Sequence, residues 1–552
     1  MSDILSPSVS PRALQDLRSA ADLLLAGRAD EASRVLRPIV AAYPGLADAH
    51  RLLGLAARDS GDLTLAEASL RRAVALDPAS GPSAVSLAET LLFAARAREA
   101  LAVVAPLAAD PRADIHILTT AGNAEKALGR LEDAVATYGR AVVAAPASGV
   151  AEHNLAGVLG DLERFSESEA AARRAFATGL DAPETWVVLA RAHMGQRAHD
   201  QAHETYLEAI RRRPDYVEAH AELAQLVWMR TADVVAAGAM LDRAIAAFPD
   251  LQALRLTKGE LLEYAGDMEG AWAAVAATAA RPDAEAMIHV VAARFSMGLD
   301  PLRARAHAVA AAAQIPDHPV ALGTLCEAHL ANGEAEAAEA VAADLHRRGP
   351  LDQHALGLLA TSWRLRGDPR QAALHDYPSL VRAATIDTPR GWPDLRAYLA
   401  DLADSLTRLH TLRTHPIGQS IRHGSQTSQS LTLSDDPVIQ AFFRAVDGPI
   451  RRYMAALGPG DDPVRSRNTG DYRFNGAWSV RLRPDGYHAD HLHPMGWLSS
   501  ACYIALPSAV ERGHEGWLKF GQPGVRTEPP LAPEYFVKPE PGLLVLFPSW
   551  MW

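Results

Sequence analysis

Residues 183–216 read PETWVVLARAHMGQRAHDQAHETYLEAIRRRPDY, and this 34-residue phrase decides the fold of most of the chain. Counted from Pro183, Trp186 stands at position 4, Ala190 at 8, Ala202 at 20, Tyr206 at 24, Ala209 at 27 and Pro214 at 32. From position 8 onward, the same offsets hold Gly54, Ala66, Leu70, Ala73 and Pro78 in one earlier copy, and Ala20, Ala32, Leu36, Ile39 and Pro44 in the first. A further copy has Gly122, Ala134, Tyr138, Ala141 and Pro146. Small residues at 8 and 20 let two helices approach, large ones at 4 and 24 fill the remaining space, and proline ends the second helix because it cannot continue the hydrogen-bond ladder. One such hairpin leaves an apolar face bare, and stacked neighbours cover it, which builds a superhelix with a concave groove.

The pattern resembles the tetratricopeptide repeat over most of residues 13–280. Gly259 with Ala271 keeps the spacing, 281–317 has lost it, and 318–348 keeps only a helical hairpin turning at Ala331-Asn332-Gly333. We expect a tail over 1–12 and an all-α array of about ten repeats over 13–372. The resemblance implies a protein or peptide in the repeat groove; a spacer or oligomerisation scaffold is the other reading. His153, His193 and His220 read as polar groove or surface residues, since none has a carboxylate at ligand spacing.

Composition narrows the partners. The 552 residues carry 54 basic and 66 acidic side chains, a net charge of -12, which gives no electrostatic reason to bind nucleic acid or anionic lipid. Cys326 and Cys502, the two cysteines, lie in segments of different character and supply neither a disulfide framework nor a zinc–thiolate site. The first residues, Met1-Ser2-Asp3-Ile4-Leu5, lack the form of a signal peptide, and no run of about 18 apolar residues follows. A cytoplasmic protein is expected, with oligomeric state left open. No nucleophile elbow, phosphate loop or HExxH helix is present.

Over 373–447, Tyr377-Pro378, Pro389-Arg390-Gly391 and Trp392-Pro393 break the helical pattern and mark a connector. A helix is expected over 394–412, where Leu395, Tyr398, Leu399, Leu402, Leu406 and Leu409 share one face, and another over 435–457. Residues 415–428 between them are polar and structureless by pattern. From 448 to 552 the pattern turns to antiparallel β, with strands expected over 478–482, 498–506, 516–520 and 542–547 and turns at Pro484-Asp485-Gly486, Pro523-Gly524 and Pro541-Gly542.

Within this last stretch Tyr487-His488-Ala489-Asp490-His491-Leu492-His493-Pro494 places three imidazoles and a carboxylate in six positions. Residues two apart on an extended strand point the same way, so His488 with Asp490 and His491 with His493 are competing ligand pairs of opposite parity. The phrases around His491-Leu492-His493-Pro494, Ser500-Ala501-Cys502-Tyr503-Ile504 and Phe547-Pro548-Ser549-Trp550, with the segment His415–Ser428, resemble bacterial proteins that carry tetratricopeptide repeats ahead of a 2-oxoglutarate- and iron(II)-dependent oxygenase domain of prolyl-hydroxylase-like type.

That resemblance implies a double-stranded β-helix (jelly roll), iron(II) as metal, 2-oxoglutarate as cosubstrate, ascorbate as an accessory reductant, and hydroxylation of a protein or peptide delivered by the repeats. The family's tyrosine precedes its first ligand by about four residues, as Tyr487 precedes His491, which favours His491 and His493 over His488 and Asp490. Tyr503 and Ser500 are the cosubstrate-binding candidates, with Arg481 and Lys519 as alternative cations. The family's distal histidine and its 2-oxoglutarate-binding arginine follow the last-strand phrase, whereas here the sequence reaches Trp552 without either, and His514 lies in a polar turn. The expectation is a domain incomplete at its last strand, with an unpaired edge, weak metal binding and little turnover. A non-catalytic repeat scaffold with an inactive barrel is the rival reading.

Overall fold

Position 8 of the repeat is where the two helices of a hairpin touch. A β-carbon on Gly54 would stand 2.5 Å from Leu70, and one on Gly122 would stand 2.6 Å from the Tyr138 ring. Alanine serves at the same position in other copies, where Ala20 and Ala190 are fully buried. The structure, a computed structural model, describes residues 9–552. Hairpins run from Pro11–Leu25 with Ala29–Ala42 to Pro319–Ala331 with Ala335–Arg348. The first helix begins inside the expected tail, with the Ser10 hydroxyl accepting from the Ala13 amide; residues 1–8 of that tail lie outside the described residues. Residues 281–317 form a hairpin too, Ala286–Ser296 with Pro301–Gln314, although their sequence spacing has drifted.

The repeat histidines bond to backbone carbonyls or to threonine hydroxyls within the array. His50 and His220 both occupy position 4, and their Nε2–H groups donate to the carbonyls of Pro44 and Pro214 at 3.1 and 2.8 Å. His220 and His193 are therefore buried rather than on the surface, and His193 bonds the Thr205 hydroxyl at 3.1 Å. His153 pairs with Thr185 at 3.0 Å.

Residues 1–212 and 213–552 form two units, and the candidate site lies in the second. Four helices of that unit matter below: α1 (Val217–Thr231), α2 (Gln252–Tyr264), α3 (Pro319–Ala331) and α4 (Gln353–Arg366). After them come β1 (Arg382–Thr385), α5 (Leu395–Thr407), β2 (Ile421–Gln426), α6 (Pro437–Leu457), β3 (Val480–His488), β4 (Leu498–Cys502), β5 (Leu518–Phe520), β6 (Tyr535–Val537) and β7 (Leu543–Pro548). The strands make three small antiparallel sheets, ordered β1-β7-β4, β2-β3 and β5-β6.

Three expectations need correction. The connector is not purely helical, because it supplies β1 and β2, the latter from the segment read as structureless. Pro484-Asp485-Gly486 is not a turn between elements but a bulge inside β3, where Gly424 pairs with Leu482 and Arg422 with Tyr487, leaving 483–486 opposite His423 alone. The last strand, expected to present an unpaired edge, is the central one: Leu546 of β7 faces Arg382 of β1 on one side and Ser500 of β4 on the other.

One core joins these sheets to the repeats. Tyr398 and Leu402 of α5, Ile439 and Val446 of α6 and Val545 of β7 are buried together with Leu356 and Ala360 of α4. The backbones come close at Gly357, where a β-carbon would stand 2.6 Å from Leu492 and 3.1 Å from the Trp550 carbonyl. Beside it the buried Trp552 indole donates to the Thr361 hydroxyl at 3.1 Å.

A second seam is made by residues 412–417, which lie across α1 and α2. The amides of Arg413 and Thr414 donate to the Met229 carbonyl at 2.8 and 3.2 Å, and the Ile417 amide donates to Gln225 Oε1 at 3.1 Å. In return the Trp228 indole donates to the His415 carbonyl at 3.1 Å, and His415 Nε2–H donates to the Tyr264 carbonyl at 3.2 Å. Met229 and Tyr264 sit in the last turns of their helices, where carbonyls have no partner within the helix. The segment satisfies them.

Two outcomes follow from these seams. Gly357→Val should lower stability by about 1–3 kcal/mol through overpacking, measured by urea unfolding, whereas Gly157→Ala, at a helical glycine with nothing within 4 Å, should not. Burial, reinforced by Arg422, pushes the His415 imidazole down to about 4 from an ordinary 6.5. Between those values the undocked ring takes a proton that the docked ring refuses, so docking is strongest above pH 6.5 and weakens as pH falls toward 4, by roughly 3 kcal/mol at most. A pH series of unfolding midpoints should show that loss in the wild type and a flatter profile in His415→Asn.

Candidate metal centre

The histidine-rich stretch spans the end of β3 and the loop into β4. β3 stops at His488, so strand parity does not govern His491 and His493, which follow it in the loop. The loop is pinned from several sides. His493 donates its amide to the Ser549 carbonyl at 3.0 Å, Gln353 at the start of α4 donates its amide to the Pro494 carbonyl at 3.2 Å, and Arg467 donates to the Gly496 carbonyl at 3.0 Å. Leu492 packs in the cluster of Cys326, Leu330, Leu358 and Trp552. The N-terminal amides of a helix have no partner within it, so α4 is a ready anchor for a loop carbonyl.

Three imidazoles meet here. His491 Nε2 and His493 Nε2 are 3.2 Å apart, and the His488 ring stacks on His491 with centroids 5.9 Å apart. Each Nδ1 is engaged on the outer side: His491 with the Ala489 carbonyl at 2.9 Å, His493 with the Ser499 hydroxyl at 2.6 Å, and His488 with the Ser420 hydroxyl at 3.0 Å. Ser420 also accepts the Ala489 amide on its carbonyl at 2.7 Å, so the segment docked on α1 and α2 runs directly into the support of this loop. The rings keep access to solvent, yet the surrounding protein desolvates them enough to push His488 and His493 down to about 4, with the neighbouring imidazoles adding to the shift. Both rings are neutral at neutral pH, the state in which an imidazole nitrogen can bind a metal.

Asp490 turns away from this group. Its carboxylate pairs with Lys519 at 3.1 Å, and Lys519 also donates to Gln522 at 2.9 Å, which commits that cation. Arg481 is exposed on β3. His514 is exposed and stacks on Phe536 at 4.0 Å. On β4 alternation separates the cosubstrate candidates. Ser500 is exposed, and Tyr503, whose phenol burial pushes up to about 12, continues the side of buried Ser499 just past the strand end.

Sequence reasoning passed over Ser499 and Ser549. The Ser549 hydroxyl lies 2.9 Å from the Ser499 hydroxyl, and both side chains are buried. Alternation along β4 carries the signal for Ser499, since it shares a side with Ala501 and Tyr503. Ser549 is visible only as part of the Phe547-Pro548-Ser549-Trp550 phrase.

Two imidazole nitrogens facing each other at 3.2 Å are about as far apart as two such donors on one first-row ion. The pair therefore fits a metal as two of its donors. Among the described residues no group of three or more His, Cys, Asp or Glu is arranged to hold a metal ion.

Comparison with known proteins places these features. A family model described as "Putative 2OG-Fe(II) oxygenase" matches residues 476–552, which include all three histidines, and a tetratricopeptide-repeat model matches 17–81 and 187–251. The chain thus carries tetratricopeptide repeats followed by a β-rich C-terminal region consistent with a 2OG-Fe(II) oxygenase domain. No curated protein matches it. Similar solved structures include PilF of Pseudomonas aeruginosa, at 16% identity over 37% of this chain and 92% of that one with a TM-score of 0.33. A tetratricopeptide-repeat protein from Parabacteroides merdae matches at 15% identity over 50% and 97%, TM-score 0.33. Human IFIT1, solved as a dimer with PPP-AAAA, matches at 17% identity over 67% and 90%, TM-score 0.34. Among the described residues no helix is long and apolar enough to cross a membrane.

The histidine pair can be tested against its rival directly. His491→Ala and His493→Ala should each weaken Co(II) binding, measured by anaerobic calorimetry, at least about tenfold, or roughly 1.4 kcal/mol. Asp490→Ala should leave it within about twofold, because that carboxylate is bound to Lys519.

Proposed function

We propose that this chain is a 2-oxoglutarate- and iron(II)-dependent dioxygenase whose substrate is a protein or peptide held by its repeats. The observation that carries the reading is the pair of facing Nε2 atoms of His491 and His493, inside the segment that matches the oxygenase model. When bound, iron(II) with 2-oxoglutarate supplies oxidative hydroxylation of an unactivated C–H bond, chemistry that side chains lack. His491 and His493 would hold the ion. Tyr503, on the side of β4 that carries Ser499, is the better-placed neighbour for the cosubstrate, with Ser500 behind it.

The repeats have two tasks in this reading. Repeat proteins generally present extended concave surfaces to peptides and proteins, and substrate delivery belongs there. In the second unit the repeats also support the site: α4 fixes the loop through Gln353 and Gly357, while α1 and α2 hold the segment that leads to Ser420.

A second reading, a repeat scaffold without catalysis, is favoured by the ion pair of Asp490 with Lys519, which holds the one carboxylate of the histidine stretch away from the imidazoles. Anaerobic loading with iron(II), then 2-oxoglutarate and air, separates them. The oxygenase reading expects succinate formation above the protein-free rate that disappears in His493→Ala. Neither iron binding nor succinate, with the fold intact by circular dichroism, would leave the scaffold.

A further inference from the structure

The protons around His493 can be counted. The Ala489 carbonyl can only accept, so a His491 ring with a single proton carries it on Nδ1 and leaves Nε2 bare. That bare nitrogen lies 3.2 Å from His493 Nε2. With no ion between them, the contact is favourable when His493 carries its proton on Nε2 and donates it to His491. His493 Nδ1 is then bare and accepts from the Ser499 hydroxyl at 2.6 Å, and Ser499 accepts from the Ser549 hydroxyl at 2.9 Å. Every proton in the row has an acceptor.

Holding one ion between the two rings demands the opposite arrangement, since both Nε2 atoms must then offer lone pairs. His493 must carry its proton on Nδ1 and donate it to Ser499, whose own hydrogen turns to Ser549. A carbonyl at position 499 would enforce one direction and an amide N–H the other. A hydroxyl serves both, and a second hydroxyl behind it takes up the reversal.

We infer that Ser499, backed by Ser549, is a positioning residue that lets His493 exchange tautomers, so that the pair is locked by an internal hydrogen bond when empty and presents two lone pairs when loaded. In the exchange the N–H bond at Nε2 breaks and its proton passes to water, while an N–H bond forms at Nδ1 with a proton drawn from water. Ring charge is unchanged. The loaded half of the inference rests on the metal-binding reading above, and the empty half does not.

The test uses the full chain labelled with ¹⁵N-histidine, with Zn(II) as probe, and reads the His493 ring nitrogens by long-range ¹H–¹⁵N correlation. The empty protein should show the Nε2–H tautomer and the Zn(II)-loaded protein the Nδ1–H tautomer. An Nδ1–H tautomer in the empty protein overturns the inference whatever the metal does. Ser549→Ala leaves Ser499 only His493 to donate to, so the empty tautomer should persist while Zn(II) affinity falls roughly tenfold. Ser499→Ala should lose as much, and Ser499→Thr, which keeps the hydroxyl, should recover it. Wild-type affinity in both alanine variants overturns the relay. Zn(II) binding that ignores His491→Ala and His493→Ala instead overturns the metal-binding reading, and the empty-state spectrum still decides the tautomer.

Discussion

Gly357 has no side chain, and the C-terminal region of this protein depends on that gap. A helix from the repeat array approaches so closely here that a β-carbon would stand 2.6 Å from the tip of Leu492 and 3.1 Å from the Trp550 carbonyl, which could be accommodated only by displacing them. Around this point the same helix gives Leu356 and Ala360 to the sheet core, its Gln353 amide to Pro494 and its Thr361 hydroxyl to Trp552. The repeats are thus part of the wall behind the site.

The segment from Leu412 to Ile417 makes the same connection by another route. Two of its backbone amides donate to the Met229 carbonyl near the end of one helix, and its His415 ring meets Trp228 edge-on. From there it continues to Ser420, which supports His488 and Ala489. The second unit's repeats are therefore mechanically tied to the imidazole cluster through a short run of backbone.

The repeats were legible in the sequence because every copy solves one steric problem with the same residues, as Gly54 against Leu70 and Gly122 against Tyr138 show. Strand β2 was not. Ile421-Arg422-His423-Gly424-Ser425-Gln426 has no alternation, and its extended form comes from pairing with β3 and from the docked segment before it. The histidine pair could be found by composition, but not its orientation: parity ended with the strand at His488, and Asp490 was drawn off by Lys519, 29 residues on in sequence and adjacent in space. Ser499 was hidden by its neighbour. Ser500 stood out within a recognisable phrase, whereas burial decides which of the two meets His493.

The pairing of β1 with β7 brings together residues about 160 positions apart, Arg382 opposite Leu546. Repeat hairpins close between neighbours and can form as they leave the ribosome. The three-stranded sheet can close only after β7 has been synthesised, since β7 is its middle strand. Until then β1 and β4 have no partner in that sheet, and Gly357 waits without the Trp550 backbone against it. The histidine loop closes late for the same reason, because the His493 amide is held by the Ser549 carbonyl just past β7.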